Sequence, residues 1–331
     1  MIRIAILGVA HLHVDSYVDN FRAAGAELVG VFDIDSTRGS SWGAKHGVEF
    51  YESLERLLGA DLDGVVVCSE TSRHLELVEA AANAKVAVLC EKPLGVSVEE
   101  SQRIVDVCRE NGVNLMTAFP SRFEASMAQA RDLVRSGALG RIRAFSGTNQ
   151  SVMPMRERSW FVDPALAGGG AIMDHVVHLA DVYSWLLGSE PQSVYAVDNR
   201  IVHSDVVSVE TSGMVMVTYP GGVFGSIDCS WNRPLNYPTW GGFALSIVGD
   251  GGSLDVEPMR QRLVEFGGET RYSWIQWGPD SNQSMIQDFI DSTVDGRPPL
   301  STGDDGLRAT RVALAALESV RTLEPVELSA P

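Results

Sequence analysis

The chain is short of cysteine, of basic residues and of long apolar runs, and each shortage removes a class of function. Four cysteines (Cys68, Cys90, Cys108, Cys229) occur in 331 residues, none in a Cys-x-x-Cys pair. A disulfide framework or thiol-ligated zinc module is therefore not expected. Cys68 and Cys90 lie inside apolar runs, where a reduced, buried thiol is the expectation. Lysine and arginine number 26 against 43 acidic residues, a formal net charge of −17. That balance repels a nucleic-acid backbone and an anionic membrane surface, so neither is an expected partner. It does not bar a phosphate-bearing cofactor, which backbone N–H groups at a helix N-terminus can hold. No run approaches the ~18 apolar residues that span a bilayer. The N-terminus enters a strand-like segment with no basic stretch ahead of it, so no signal peptide and a cytoplasmic location are expected. Internal repeats and low-complexity segments are also lacking.

What is present is an apolar share of 45%, enough for one large domain or two ordinary ones. The first 120 residues alternate short β-branched runs (Ile2–Leu7, Leu28–Phe32, Val65–Cys68, Val86–Cys90, Val113–Thr117) with amphipathic stretches such as Arg73–Ala84 and Ser97–Asn111. Gly112 supplies a helix stop. This alternation predicts an α/β domain, a doubly wound parallel sheet, over 1–120. After Pro120 the rhythm changes. A helix is expected at Phe123–Ser136, then a strand, then a helix opened by "GGGAIMDHVVHLADVYSWLLG". Successive strands follow between Val194 and Phe266, and helical patterns near Met285–Val294 and Asp304–Leu323 close the chain. An α+β domain over 121–331, with a mainly antiparallel sheet and helices on one side, is the expectation. In "MVMV" apolar residues are consecutive, so both strand faces want cover; a second subunit could supply one, giving a homodimer or homotetramer.

"GVAHLHVD", residues 8–15, can be read in two ways. A His-x-His pair (His11, His13) at the end of a first strand can bind metal, with His74, His175, His178 and His203 as further ligands of a barrel hydrolase. The eight repeated strand–helix units of such a barrel are missing. The same stretch can be a dinucleotide turn, with Gly8, Ala10 and His13 at the three glycine positions and His11 and Leu12 between them. Ala10 is small enough; His13 is large, so either the helix stands off or His13 turns toward the ligand. Asp33, 25 positions after Gly8 at the end of "LVGVFDID", is placed to accept both adenosine ribose hydroxyls. It favours NAD, while Arg38 nearby keeps NADP open.

Chemistry is expected in two segments. "VLCEKPLG", residues 88–95, ends the fourth strand, and ligands of open α/β sheets sit beyond carboxyl ends of strands. Lys92, directed by Pro93, can stabilise negative charge developing on a reacting oxygen. In residues 168–188, glycines give a flexible approach to a helix bearing Asp174, His178 and Asp181 on one face. A carboxylate one turn before a histidine can orient the imidazole as a general base. Arg156 and Trp160 in "MPMRERSW", and Asn232 and Tyr237 in "CSWNRPLNY", suit substrate hydroxyl or ring contacts.

Taken in order, "GVAHLH", "FDID", "CSETSRH", "LCEKPL" and the Gly-Gly-Gly…Asp-x-x-x-His segment resemble the Gfo/Idh/MocA oxidoreductase family, named for glucose–fructose oxidoreductase and inositol dehydrogenase. The resemblance spans nearly the whole chain. It implies a Rossmann domain binding NAD or NADP, a second domain whose large open sheet serves oligomerisation, and oxidation or reduction of sugars, polyols or inositols. By position it implies a catalytic group of Lys92, Asp174 and His178, Glu91 beside the nicotinamide, and a cis Lys92–Pro93 bond. It places Ser69 and His74 with the cofactor residues, and His175 at the substrate or in packing. The chain departs from the family at Ala10 and His13, and at "SETS", where Thr-Pro-Asn is frequent. Three readings follow: a dehydrogenase or reductase needing no metal, a non-catalytic dinucleotide sensor on the same scaffold, and, behind them, a metal-dependent hydrolase using His11 and His13.

Overall fold

The computed structural model describes residues 1–156, 158–239, 241–260, 262–266, 272–276 and 278–328. Along the first 120 residues run β1 (Arg3–Leu7), α1 (His13–Ala23), β2 (Glu27–Phe32), α2 (Ser36–His46), α3 (Leu54–Leu58), β3 (Gly64–Val67), α4 (His74–Asn83), β4 (Ala87–Cys90), α5 (Val98–Asn111) and β5 (Leu115–Thr117). β3 and β4 are buried at every position, as strands covered on both faces must be. Among the described residues these five strands form one parallel sheet in the order β2-β1-β3-β4-β5. The order reverses between β1 and β3, and a crevice opens there. An open sheet of this order is not a barrel, so the hydrolase reading of His11 and His13 falls with it.

Local chemistry accounts for the helix ends. Asp35 caps α2 by accepting from the backbone N–H groups of Thr37 and Arg38, and Gly47 closes it at φ 64°. Ser97 caps α5 through the Glu100 N–H, and Gly112 closes it at φ 67°. Between sheet and helices lies an apolar core of Val65, Val67, Val78, Val88, Ile104, Val107 and their neighbours. Each such side chain contributes about 1.5–3 kcal/mol on full burial.

The remaining elements are α6 (Ala125–Arg135), β6 (Ile142–Val152), α7 (Pro164–Ala167), α8 (Ala171–Leu187), β7 (Ser193–Asn199), β8 (Ser212–Tyr219), β9 (Val223–Arg233), β10 (Gly241–Gly249), β11 (Gly252–Val256), β12 (Arg262–Phe266), β13 (Tyr272–Gln276), α9 (Ser281–Asp295), α10 (Gly303–Thr322) and β14 (Val326–Glu327). Contacts divide the chain into two discontinuous units. The first is Met1–Pro120 with Glu157–Gly168 and Ser281–Thr310; the second is Ser121–Arg156, Gly169–Asp280 and Arg311–Pro331. Within the first, Phe289 of α9 packs edge-on to Phe21 of α1, which is how a late helix joins the early sheet.

In the second unit the described strands form a seven-stranded sheet, β11-β10-β6-β9-β8-β7-β14. Its pairings are antiparallel except for β6 with β9. β12 and β13 pair separately. α8 covers one sheet face: Tyr183 stacks on Phe145, and Gly147 and Gly225 leave the room that Tyr183 and Leu179 fill. Val215, Val217 and Ile227 are buried on that side, while Tyr195, Val197, Met214, Met216 and Phe224 are exposed on the other. The expected cover of "MVMV" is thus present on one face within the chain. No described helix is long and apolar enough to cross a membrane.

Candidate functional site

In the first unit the turn after β1 is held by backbone and by Asp33. Gly8 N–H donates to Phe32 O (2.7 Å), Val9 N–H to Asp33 Oδ2 (2.7 Å) and His11 N–H to Cys68 O (2.9 Å). Gly8 has φ 81°, and a Cβ there would lie 2.6 Å from the Ser69 Cβ, so only glycine fits. Leu12 at the N-cap of α1 offers no side-chain cap, which leaves this helix end available to an anion.

His13 opens α1 and turns inward. Its Nδ1 lies 3.0 Å from Glu91 Oε1, the same oxygen that accepts the Tyr17 hydroxyl at 2.7 Å. His11 Nδ1 stands 3.6 Å from it, and the Lys92 N–H donates to Oε2 at 3.2 Å. On the far side of the His11 ring, Arg158 Nη1 approaches Nε2 at 3.5 Å. The His13 backbone N–H donates to the His11 Nδ1 at 3.4 Å. Burial would push the Glu91 carboxyl up, but His11, His13 and the Lys92 charge outweigh it and hold it well below the usual range. Burial keeps His11 well below its ordinary value against the pull of Glu91.

Among the described residues, His11, His13 and Glu91 are the group able to present metal ligands, with ligand atoms within 4.8 Å of one another. The charge does not suit a dication. The single carboxylate already takes Tyr17 and His13, and the Arg158 and Lys92 charges both bear on His11.

Lys92 is buried, and its bond to Pro93 is cis, as the resemblance implies. His74 Nδ1 sits 3.1 Å from Pro93 O and 3.2 Å from Leu94 O, so this ring braces the Lys92 loop from α4. Leu94 N–H donates to Thr310 Oγ1 at 3.1 Å. A cleft beside Gly8 is lined by Phe32, Asp33, Arg38, Ser69 and Glu70. The fit to a dinucleotide rests on the Gly8 cradle, the uncapped α1 N-terminus and this polar cleft.

In the second unit α8 carries the expected polar cluster. Trp231 Nε1 donates to Asp174 Oδ2 at 2.9 Å, and that oxygen lies 3.6 Å from His175 Nε2. His175 Nε2 also meets Ser151 Oγ at 3.0 Å, and Asn149 donates to the His175 carbonyl at 3.3 Å. Asp174 and His175 are buried; His178 is half-buried. Asp181 leaves the expected trio, because Arg122 grips its carboxylate (Nε to Oδ2, 2.8 Å) in a buried pair. The glycines before α8 serve close approach rather than flexibility. A Cβ on Gly170 would lie 2.2 Å from the Glu210 carbonyl, and the Glu210 carboxylate accepts from Gly170 N–H (2.8 Å) and Ile172 N–H (3.0 Å).

The remaining expected residues scatter. In the first unit, Trp160 is buried and its indole N–H donates to Ala10 O at 3.1 Å, so it braces the β1 turn. In the second, Asn232 is exposed, and Tyr237 lies under the Arg233 guanidinium beside a cavity of about 360 Å³ that Thr148 also lines. Along β6 the positions facing α8 are Phe145, Gly147, Asn149 and Ser151, so Thr148 and this cavity belong to the opposite sheet face. The side chain of Arg156 lies outside the described residues. Sequence reasoning missed Tyr17, Glu70, Arg158, Ser151, Glu210 and the role of Trp231. Only Tyr17, four positions after His13, stood within reach of a spacing argument.

Because the folded state keeps His11 neutral, its stabilising effect is full above pH 6.5, the unfolded value, and falls as pH drops below it. One proton taken up on unfolding costs about 1.4 kcal/mol per pH unit. Urea unfolding between pH 7 and 5.5 is expected to show at least this slope, since burial holds His74 low as well, with His11→Asn reducing it by up to one proton; an unchanged slope contradicts the assignment.

Comparison with known proteins agrees with this geometry. Residues 2–119 match the oxidoreductase family model with an NAD-binding Rossmann fold, and residues 127–255 match the Gfo/Idh/MocA C-terminal domain. The chain is 26% identical to myo-inositol 2-dehydrogenase of Thermotoga maritima, over 98% of each chain. It is 27% identical to D-xylose 1-dehydrogenase (NADP(+)) 2 of Haloferax volcanii, again over 98% of each. The crystal structure of GenD2 from gentamicin A biosynthesis, in complex with NAD, shares the fold: TM-score 0.89 at 23% identity, over 99% of this chain and 97% of that one. Two family models that together span most of the sequence, on a fold with the Gly8 turn and the Glu91-Lys92-Pro93 strand end, make this chain a member of the Gfo/Idh/MocA family of NAD-binding oxidoreductases.

Proposed function

We propose that this chain interconverts a secondary alcohol and the matching ketone on a sugar, polyol or inositol derivative, with NAD as redox partner. The observation that carries the reading is the edge beyond β4. Two buried charged residues, Glu91 and Lys92, stand there beside the glycine turn, where open α/β sheets take ligands. Relatives named for inositol and xylose dehydrogenation support the substrate class, and a relative named for NADP keeps that cofactor as the alternative.

NAD, when bound, takes up or returns the hydride of the carbinol carbon. The chain's own residues do the rest. Gly8, Ala10, His11, Leu12 and His13 form the pyrophosphate turn, Asp33 and Arg38 the ribose end, and Ser69, His74 and Glu91 the walls. His178 accepts the hydroxyl proton, Lys92 stabilises the oxygen as negative charge develops, and Asp174 holds its neighbours in orientation. His175, buried beside Ser151, suits recognition of a substrate hydroxyl. General-base removal typically costs a factor of ~10²–10⁴. His178→Ala is therefore expected to lower turnover on that scale with NAD affinity unchanged, followed at the reduced-nicotinamide band across a sugar and inositol panel. Unchanged turnover removes His178 from the chemistry; tight NAD binding with no turnover of any polyol by the unmodified chain favours the sensor.

The exposed sheet face with Tyr195, Val197, Met214, Met216 and Phe224 supports a homodimer or homotetramer. Four buried cysteines, none in a disulfide, fit a cytoplasmic location. Light scattering on a sizing column is expected to give at least twice the chain mass, falling to one chain with Met216→Asp. A monomer at every concentration of the unmodified chain contradicts this.

A further inference from the structure

The cleft beside Gly8 holds more carboxylate than one ribose needs. Asp33, expected to accept both ribose hydroxyls, is instead filled by protein donors and serves the ribose end by anchoring Arg38. Its Oδ2 accepts from Val9 N (2.7 Å) and Arg38 Nε (3.0 Å), and its Oδ1 from Asp35 N (2.8 Å) and Arg38 Nη2 (2.8 Å). A carboxylate offers about four acceptor positions. The third edge of Arg38 is taken as well, since Nη1 donates to Glu70 Oε1 at 2.7 Å. Burial disfavours a charged guanidinium, but the hydrogen bonds to Asp33 and Glu70 outweigh it and push the Arg38 pKa up.

Glu70 is nine-tenths buried, and its second oxygen, Oε2, is buried with no hydrogen-bond partner among the described residues. Leaving a buried carboxylate oxygen without a donor is costly, so this oxygen calls for one from outside the protein. The cleft wall also carries Arg73 and Glu76, so three carboxylates there face two guanidiniums.

We propose that Glu70 is a specificity-determining residue of the cofactor site. Its Oε2 receives a hydroxyl of the adenosine ribose, and its Oε1 holds Arg38 against Asp33, so that a ribose 2′-phosphate finds no available cation. The site thereby selects NAD over NADP. This rests on the nicotinamide reading above. A 2′-phosphate brings roughly −1.5 to −2 charges into a wall that is already net negative, where Arg38 is held by Asp33 and Glu70 and Arg73 stands against Glu76 at 3.5 Å.

The test is calorimetric titration of the full-length chain with NAD and with NADP, needing no turnover. The unmodified chain is expected to bind NAD the more tightly. Glu70→Gln removes the negative charge that holds Arg38 Nη1, and the affinity ratio should move toward NADP by ~10–100-fold, the span of one charged hydrogen bond. In an Arg38→Ala background the same substitution should move the ratio far less, because the cation that would take the phosphate is gone. Thermal unfolding checks that each variant folds, and Glu70→Ala carries the same expectation where Glu70→Gln does not fold. A folded Glu70 variant with an unchanged ratio overturns the inference while leaving NAD binding intact. An equal shift without Arg38 also overturns it. An unmodified chain that binds neither dinucleotide overturns the nicotinamide reading, and this inference with it.

Discussion

The first unit is organised around one buried carboxylate. Burying an anion costs several kcal/mol unless hydrogen bonds and opposite charge replace water. Glu91 meets that demand with Tyr17 and His13 from α1, the Lys92 N–H from its own strand end, and His11 from the turn between β1 and α1. Each of these neighbours fixes the element that carries it. The β1 turn, the first turns of α1 and the carboxyl end of β4 are thereby tied at one point. Arg158 extends the tie through His11 to the segment after β6, and Trp160 of that segment fastens Ala10. The large residue at the third glycine position of the turn is explained by this. His13 does not crowd the helix against the sheet, because its ring is drawn to Glu91.

The second unit solves a related problem along α8. A helix buried on nearly all sides has little room for charge, yet this one carries Asp174, His175 and Asp181 among apolar residues. Each is met from another element: Asp174 by Trp231 of β9, His175 by Ser151 of β6, Asp181 by Arg122. The start of the helix is capped from outside, by Glu210, since its own N-cap is Gly170. The polar groups are thus set in register with the sheet, and a site built on such a helix holds its geometry better than one on a loop.

Much of this was legible in the sequence because buried parallel strands and amphipathic helices leave short-range patterns. β1 to β5, α4, α5 and the strands from β7 to β10 follow the apolar runs closely. α2 left little trace, because "STRGSSWGAKH" has one large apolar residue and gains its helix from the Asp35 cap and Gly47 stop. The discontinuous units were not legible either. α9 joins the first unit through a contact between Phe21 and Phe289, and no local pattern encodes a pairing of that separation. The same limit hid Glu210, about forty positions beyond the helix start it caps, and Glu70, whose "SETS" context reads only as a departure from family habit. The glycines before α8 were read as freedom, whereas the structure uses them for contact, a distinction that rests on which atom faces the missing Cβ.

The claim on which most depends is that Glu91 is ionised in the folded protein although it is wholly buried. Carbon-13 NMR of glutamate-labelled protein tests it most directly, with the Glu91 carboxyl resonance assigned by its loss in Glu91→Gln. The expected result is a carboxylate that stays ionised as pH falls through 4.5, the ordinary glutamate value. A resonance that is protonated at neutral pH would contradict the account.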